Sequence, residues 1–458
     1  MLDPRPSYHP SEPGERDLEL ARDRVRELFF AALDVVEPSR AVQTMLNWHD
    51  EFLFLAGQSL PAPLGVHAVA VGKAAVAMTQ GALEALHDVI VSGDVITKDG
   101  HATAHLPPRL RVHEAGHPIP DERGVKATDL AISALNKLED GIAVLALISG
   151  GGSALLESPR PGVSLADLAR TTDLLLRAGA PIDALNAVRS ALSRVKAGGL
   201  RAAAPRSAWG TLILSDVLGN DPRIIASGPT VRGGSDGQLA LQVIERFGLL
   251  NQVPRSIRDA LKAPSDAPGP DGRQEDVLLV IADNGAAVGA AADKAKALGL
   301  ECQVVWQAAQ GEASDLGRKF VSVVADVPES IDVVLGGGEA TVIVRGDGQG
   351  GRNTEFSLAA ALELERRGIT QWVVASLGTD GQDAMTGLAG AIADAGTPQR
   401  AREAGVDPVQ ALARNDTMTV FEVSGGSVRT GPTGTNVNDV YVAVRATDRG
   451  YGERKRGN

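Results

Sequence analysis

The sequence predicts an α/β protein of two domains, and three observations carry that expectation. Short apolar runs alternate with helical stretches along nearly the whole chain, the pattern of largely parallel sheets covered by helices. A length of 458 residues is more than one hydrophobic core usually takes and suits two. The segment from Leu261 to Asp276, LKAPSDAPGPDGRQED, is dense in Pro, Gly and Asp and reads as the best linker.

The elements follow in order. Residues 1–16 are polar and Pro-rich; they read as disordered and lack the apolar run of a secretory leader. Apolar positions recur at helical spacing over 16–36 and predict an amphipathic helix. VHAVAVG (66–72) predicts a buried strand running into a helix from Lys73. Further strands are expected at 89–97, 110–115, 143–149 and 211–216, and helices at 121–138, 164–178 and 182–196. After the linker, VLLVIA (277–282), a helix at 284–298, ECQVVW (301–306) and a helix at 312–326 predict a βαβα unit opening the second domain. A strand over 332–345, a helix over 353–367 and strands at 372–378 and 440–444 complete it. Residues 448–458 read as a solvated tail, and no internal repeat is visible.

Composition removes several function classes. The chain holds 45 Lys and Arg against 57 Asp and Glu, a net charge of −12, which argues against a protein that tracks nucleic-acid phosphates. Small anionic substrates remain open, because a local cluster of cations works inside an acidic protein. No run approaches the roughly 18 apolar residues of a membrane span. The single cysteine, Cys302, rules out an intrachain disulfide and suits a reducing cytoplasm. All eight histidines lie between His9 and His117, so chemistry in the second half must use carboxylates, cations, hydroxyls or amides.

Two motif matches are set aside. His113-Glu-Ala-Gly-His117 has zinc-protease spacing, but that chemistry needs both histidines on one helix face. Here LRVH reads as a strand, Gly116 weakens a helix, and Pro118 disfavours helical geometry at His117. Gly346 to Gly351 is a formal G-x-G-x-x-G. It does not sit at a first strand–helix turn, it carries Asp347 where pyrophosphate would lie, and the acids Glu363 and Glu365 fall inside a predicted helix.

The chemistry-bearing places are strand–glycine-loop–helix junctions, where loop amides gather around anions. LISGGGSALL (147–156) supplies Gly150, Gly151 and Gly152 flanked by the hydroxyls of Ser149 and Ser153. AVGKAAVAM (70–78) puts Lys73 just past a strand in apolar surroundings, a compact charge suited to phosphate or carboxylate. LNAVRSALSRVKAGGL (185–200) is expected to align Asn186, Arg189, Ser193 and Lys196 on one helix face. LILSDVLGNDPRIIASGPT places Asp216 at a strand end and Asn220 just after it; Asp216 suits a metal ligand or proton acceptor. In the second domain, GGGEATV (336–342) supplies a further glycine loop and GGRNTEF (350–356) offers Arg352 and Asn353. LGTDGQDAMTG (377–387) offers Thr379, Asp380 and Asp383, and TGPTGTNVND (430–439) offers Thr435 and Asn436. An anion cleft with carboxylates for a divalent cation is what phosphoryl transfer requires.

In these motifs, together with EAGHPIPDE (114–122) and GTDGQDAMTGLAGAIAD (378–394), the chain resembles the glycerate 2-kinases whose C-terminal half is called the MOFRL domain; some members are labelled hydroxypyruvate reductase. The motifs run in order from about residue 20 to 446. The resemblance implies a Rossmann-like three-layer domain over 1–260, a mixed-sheet MOFRL domain over 276–447, and a cleft between them. It further implies ATP as phosphate donor, Mg²⁺, D-glycerate as acceptor, and Lys73 and Arg352 as the functional cations; by their own placement Asp216 is the candidate metal ligand or base, with Asp380 second. Ala187 and the pair Ala384-Met385 depart from the family's usual Thr and Gly-Pro, which touches substrate fit rather than the reaction. A nicotinamide-dependent hydroxypyruvate reductase and a non-catalytic sugar-acid binder remain the alternatives. No nucleic-acid or membrane partner is expected, and a homo-oligomer is compatible with the sequence.

Overall fold

A computed structural model describes residues 14–102, 104–263 and 276–446. The expected linker between 264 and 275, most of the segment expected to be disordered before residue 14, and the tail after residue 446 lie outside those residues. Two compact units emerge: a central one, Val36–Asp283, and a terminal one, Met1–Val35 with Asn284–Asn458.

In the central unit the apolar runs 66–71, 143–148 and 209–214 become fully buried strands inside a parallel sheet, so alternation disappears from their sequence. A small antiparallel meander comes first: β1 (Leu46–His49), β2 (Phe52–Leu55) and β3 (Gln58–Pro61). The main sheet holds β4 (Val66–Val71), β5 (Ile90–Lys98), β6 (Leu110–Ala115), β7 (Ala143–Ile148), β8 (Trp209–Leu214) and β9 (Val277–Ala282). Every pairing in it is parallel, in the order β6-β5-β4-β7-β8-β9. Counted from its first strand that order is 3-2-1-4-5-6, the doubly wound arrangement whose switch point lies between the first and fourth strands, here β4 and β7. Val69, Val71, Val144, Ala146 and Ile148 pack there in one core with Leu155 and Leu200.

The terminal unit is built on a mixed sheet. It holds β10 (Cys302–Glu312), β11 (Val333–Thr341), β12 (Trp372–Gly378), β13 (Gly390–Asp394), β14 (Ser427–Val428) and β15 (Asp439–Arg445), in the order β10-β11-β15-β12-β13-β14. Only β10 and β11 run parallel, joined through the helix Ala313–Asp326. Phe320, Phe356, Trp372, Tyr441 and Phe421 fill its core.

Several expectations need correction. The compact units divide after Asp283 rather than between 260 and 276. Strand β9 is hydrogen-bonded to β8 as an edge of the central sheet, so the expected βαβα unit is divided between the two units. The helix Glu15–Val35 belongs to the terminal unit rather than to the first half; its inner face is Ala21, Val25, Leu28, Phe29 and Ala32. Strand β11 stops at Thr341 instead of running to 345; Ile343 and Val344 beyond it are exposed. The helix expected over 182–196 ends at Ala191, where Ser193 forms a bridge with Pro159 and breaks the helical repeat.

Candidate active site

The carboxyl ends of β4 and β7 carry the first cluster. Beyond β4, the Lys73 amide donates to the Gly150 carbonyl (2.9 Å) and the Ala74 amide to Ser149 Oγ (3.1 Å), which stitches the two loops together across the switch point. Ser149 is 1% exposed and its hydroxyl also donates to the Val71 carbonyl at 3.3 Å, so it holds the loops rather than facing a ligand. Ser153 Oγ shares a hydrogen bond with Ser227 Oγ (2.8 Å). The glycines have steric reasons. A Cβ on Gly150 would overlap the Asp216 carboxylate. Gly151 sits at φ +86°, and a Cβ there would lie 3.1 Å from the His117 ring and 3.4 Å from Lys73 Cγ.

Asp216, two residues past β8, faces this loop. Burial pushes its carboxyl above the usual range, with its own backbone amide and the Lys73 charge pulling the other way. A carboxylate made more basic in this way is a better proton acceptor. His101 donates from Nδ1 to the Lys73 carbonyl (3.1 Å), because that oxygen can only accept. His117 follows β6, and burial together with Lys73, Lys98 and His101 holds its imidazole below its ordinary value.

The polar face expected at 186–196 does not form. Lys196 is 3% exposed, salt-bridged to Glu157 at 2.8 Å, and donates to the Ser153 and Leu156 carbonyls. Burial lowers its pKa against the pull of Glu157. It is a structural cation beneath the glycine loop, whereas Asn186 and Arg189 stay half-buried on the helix Ile182–Ala191. Asn220 adopts φ +54° and donates to Asp283 at the end of β9, closing that edge of the sheet.

The second cluster lies in the terminal unit, at the start of the helix Arg352–Arg367. Arg352 makes a bidentate pair with Asp439, Nε and Nη2 each at 2.7 Å, and among the described contacts its Nη1 has no protein acceptor. Burial works against its charge, but Asp439, itself 0% exposed, outweighs this and raises its pKa. Asn353 is spent inside, donating to Asp439 at 3.1 Å and accepting from Ser376. Asp383 accepts from the amides of Asn353 and Thr354, so a carboxylate already occupies the helix start. Thr379 is buried with its hydroxyl donating to the Asn438 carbonyl (2.7 Å) and accepting from the Val437 amide. Asp380 accepts from the Gln382 amide (2.9 Å) and lies in the field of Arg352. Thr435 is buried, its hydroxyl without a partner among the described residues; Asn436 accepts from the Asn438 amide. Sequence reasoning overlooked Asp439, Lys98, His101 and the real place of His117.

Both set-aside motifs are accounted for. His113 lies in strand β6 and His117 past its end, so no helix face joins them. Gly346 and Gly348 pack against the backbone of Arg414 and Asp416, and Asp347 pairs with Arg414. Among the described residues no three His, Cys, Asp or Glu side chains converge at metal-ligand spacing. Single carboxylates such as Asp216 and Asp380 suit Mg²⁺ that arrives on a nucleotide and keeps phosphate and water ligands, rather than an all-protein cage.

Comparison with known proteins decides the family. Residues 24–262 match the family described as "Domain of unknown function (DUF4147)", and residues 332–439 match the MOFRL family. A glycerate 2-kinase of Pyrococcus horikoshii is 36% identical, covering 92% of this chain and 96% of its own. The chain belongs to the glycerate 2-kinase family. Within it, the crystal structure of a glycerate kinase from Thermotoga maritima superposes with a TM-score of 0.84 at 33% identity, covering 93% of this chain and 100% of that one. An Agrobacterium vitis relative, 39% identical over 81% of this chain and 97% of its own, is named provisionally as a hydroxypyruvate reductase. No described helix is long and apolar enough to cross a membrane.

Proposed function

We propose that this chain is a glycerate 2-kinase, transferring the γ-phosphoryl group of ATP to the 2-hydroxyl of D-glycerate to give 2-phosphoglycerate and ADP. The observation that carries the reading is Lys73 held beside Asp216 over the Gly150–Gly151 loop at the sheet's switch point, in a chain of this family. The hydroxyl oxygen attacks the γ-phosphorus, the bond to the β–γ bridging oxygen breaks, and ADP leaves with that oxygen. Asp216 takes the hydroxyl proton. Lys73 neutralises charge on the transferred group or its acceptor. Arg352, fixed by Asp439, is the second functional cation that the family resemblance implies. Mg²⁺ carried by the nucleotide would be held by a carboxylate, Asp216 or Asp380, and supply further neutralisation of phosphate charge. The single cysteine favours a cytoplasmic setting.

The reductase label of the Agrobacterium relative has weaker support. The first turn of the parallel sheet reads Gly72-Lys73-Ala74, not the glycine fingerprint that cradles a dinucleotide. The test is ADP release on mixing the protein with Mg-ATP and D-glycerate, with phosphorus NMR to locate the new ester. Formation of 2-phosphoglycerate is expected. Oxidation of NADH by hydroxypyruvate with no ADP release would sink the kinase reading.

A further inference from the structure

Three cationic or imidazole side chains next to Lys73 are left unused by the proposed reaction: Lys98, His101 and His117. They come from neighbouring strand ends on one side of the switch point. Lys98 is the last residue of β5 and pairs in register with Ala115 of β6; His101 lies in the loop that follows, and His117 lies two residues past β6. The His101 amide donates to the Lys98 carbonyl (2.9 Å), and its ring holds the Lys73 carbonyl, so the loop after β5 is tied to the loop after β4.

The acids around this group face other partners. Asp99 and Asp121 both pair with Arg123. Glu114 accepts from the amides of Gly100 and Ala102. Among the described residues, Lys73 and Lys98 have no carboxylate in ion-pair contact. Asp216 and Asp99 lie in the fields of Lys73 and Lys98 without pairing directly with them, so an anionic ligand in contact with both lysines would relieve their mutual repulsion. Gly151 brings the His117 ring and the Lys73 stem together, because any side chain there would meet both. Burial, with the fields of Lys73, Lys98 and His101, lowers the His117 pKa and so favours its neutral imidazole. A neutral imidazole exchanges hydrogen bonds with a hydroxyl, which a lysine can only donate to.

We propose that Lys98 and His117, with Lys73, form the acceptor subsite: the cations take the carboxylate of a small α-hydroxy acid and His117 hydrogen-bonds its hydroxyl side, making it a specificity-determining residue. This rests on the kinase reading and assigns its acceptor end. The nucleotide's phosphates are the competing occupant of the same basic cluster, and kinetics separates the two.

The experiment compares wild type with Lys98→Met, His117→Ala and His117→Gln by steady-state kinetics in both substrates. Titration calorimetry with D-glycerate alone runs in parallel, and circular dichroism confirms folding. Loss of a charge-assisted hydrogen bond raises KM for D-glycerate about tenfold or more in Lys98→Met, and loss of a neutral one raises it about threefold to tenfold in His117→Ala. KM for ATP stays near wild type, and His117→Gln recovers part of the loss through its amide. Calorimetric affinity for D-glycerate falls in the same order. A rise in KM for ATP instead, or no change in either constant in folded variants, overturns the subsite assignment. If wild type releases no ADP with any α-hydroxy acid, the kinase reading fails, and glycerate binding that still depends on Lys98 and His117 would support the subsite on its own.

Discussion

Lys196 shows how one side chain's chemistry depends on what the backbone does nearby. Its spacing from Asn186 and Arg189 places all three on a single helical face, but the helix stops at Ala191 and the chain turns Lys196 inward onto Glu157. Both partners are buried, so the pair has no water to fall back on. Lys196→Met strands Glu157 and should cost about 3–5 kcal/mol of stability. Urea denaturation measures it, and the double replacement of Lys196 by Met and Glu157 by Gln should recover much of the loss. A Lys196→Met protein as stable as wild type but deficient in nucleotide binding would restore the ligand role that sequence suggested. Lys73 and Asp216 were legible because each follows a strand that could be read from its apolar run. Lys196, Thr379 and Asn353 have equally polar names but face inward, and only packing reveals that. His117 was visible only inside a zinc-like string that drew attention for another chemistry.

Strands and helices were legible wherever one period dominates over a full element. The strands β4, β7 and β8 emerged within about two residues because fully buried parallel strands read as unbroken apolar runs, whereas the edge strand β6, half of it exposed, was read from a mixed run between turn residues. The meander β1–β3 and strand β13 went unread, being short pieces defined by pairing rather than by pattern. Register also creates chemistry that no single element announces. Strands β4, β5 and β6 bring His67, Asp94, Arg111 and His113 together inside the sheet. Asp94 is 0% exposed and paired with Arg111 at 2.7 Å, while His67 Nδ1 shares a hydrogen bond with Ser92 Oγ. Burial lowers the His67 pKa to about 4, against the pull of Asp94 and with that of Arg111. Between about 4 and 6.5 the unfolded chain therefore binds the proton that the folded chain refuses. The His67 contribution is present above pH 6.5 and is lost as pH falls toward 4, about 2 kcal/mol of it by pH 5. Urea midpoints at pH 7.5 and pH 5 should show that loss in wild type and a smaller one in His67→Gln. Equal acid sensitivity in the two proteins would place the titrating group elsewhere.

At the scale of the whole molecule, the linker and the sheets divide the chain differently: the family matches separate at the linker, while the compact units separate after Asp283. Pro, Gly and Asp mark where a chain leaves regular structure, not which sheet the next strand joins. The run 277–282 carries no sign that it pairs with β8, and the amphipathic helix 15–35 carries no sign that its apolar face is buried in the terminal unit. Both facts are long-range choices made by sheet edges and helix surfaces that the local sequence leaves open. They divide the chain so that a continuous segment, 36–283, holds all six strands of the parallel sheet, whereas 1–260 lacks β9 and carries a helix whose packing partners are missing. Expressed separately, the fragment 36–283 should unfold cooperatively in urea. The fragment 1–260 should melt at lower denaturant and expose apolar surface to a hydrophobic dye, since β8 loses its edge partner and Leu28 and Phe29 lose their cover. The fragment 284–446 should gain protection from amide exchange when a peptide spanning 14–36 is added, because that helix buries Ala21, Val25, Leu28 and Phe29 within the terminal unit. If 1–260 proves as stable as 36–283, and the peptide leaves 284–446 unchanged, the chain divides at its linker after all.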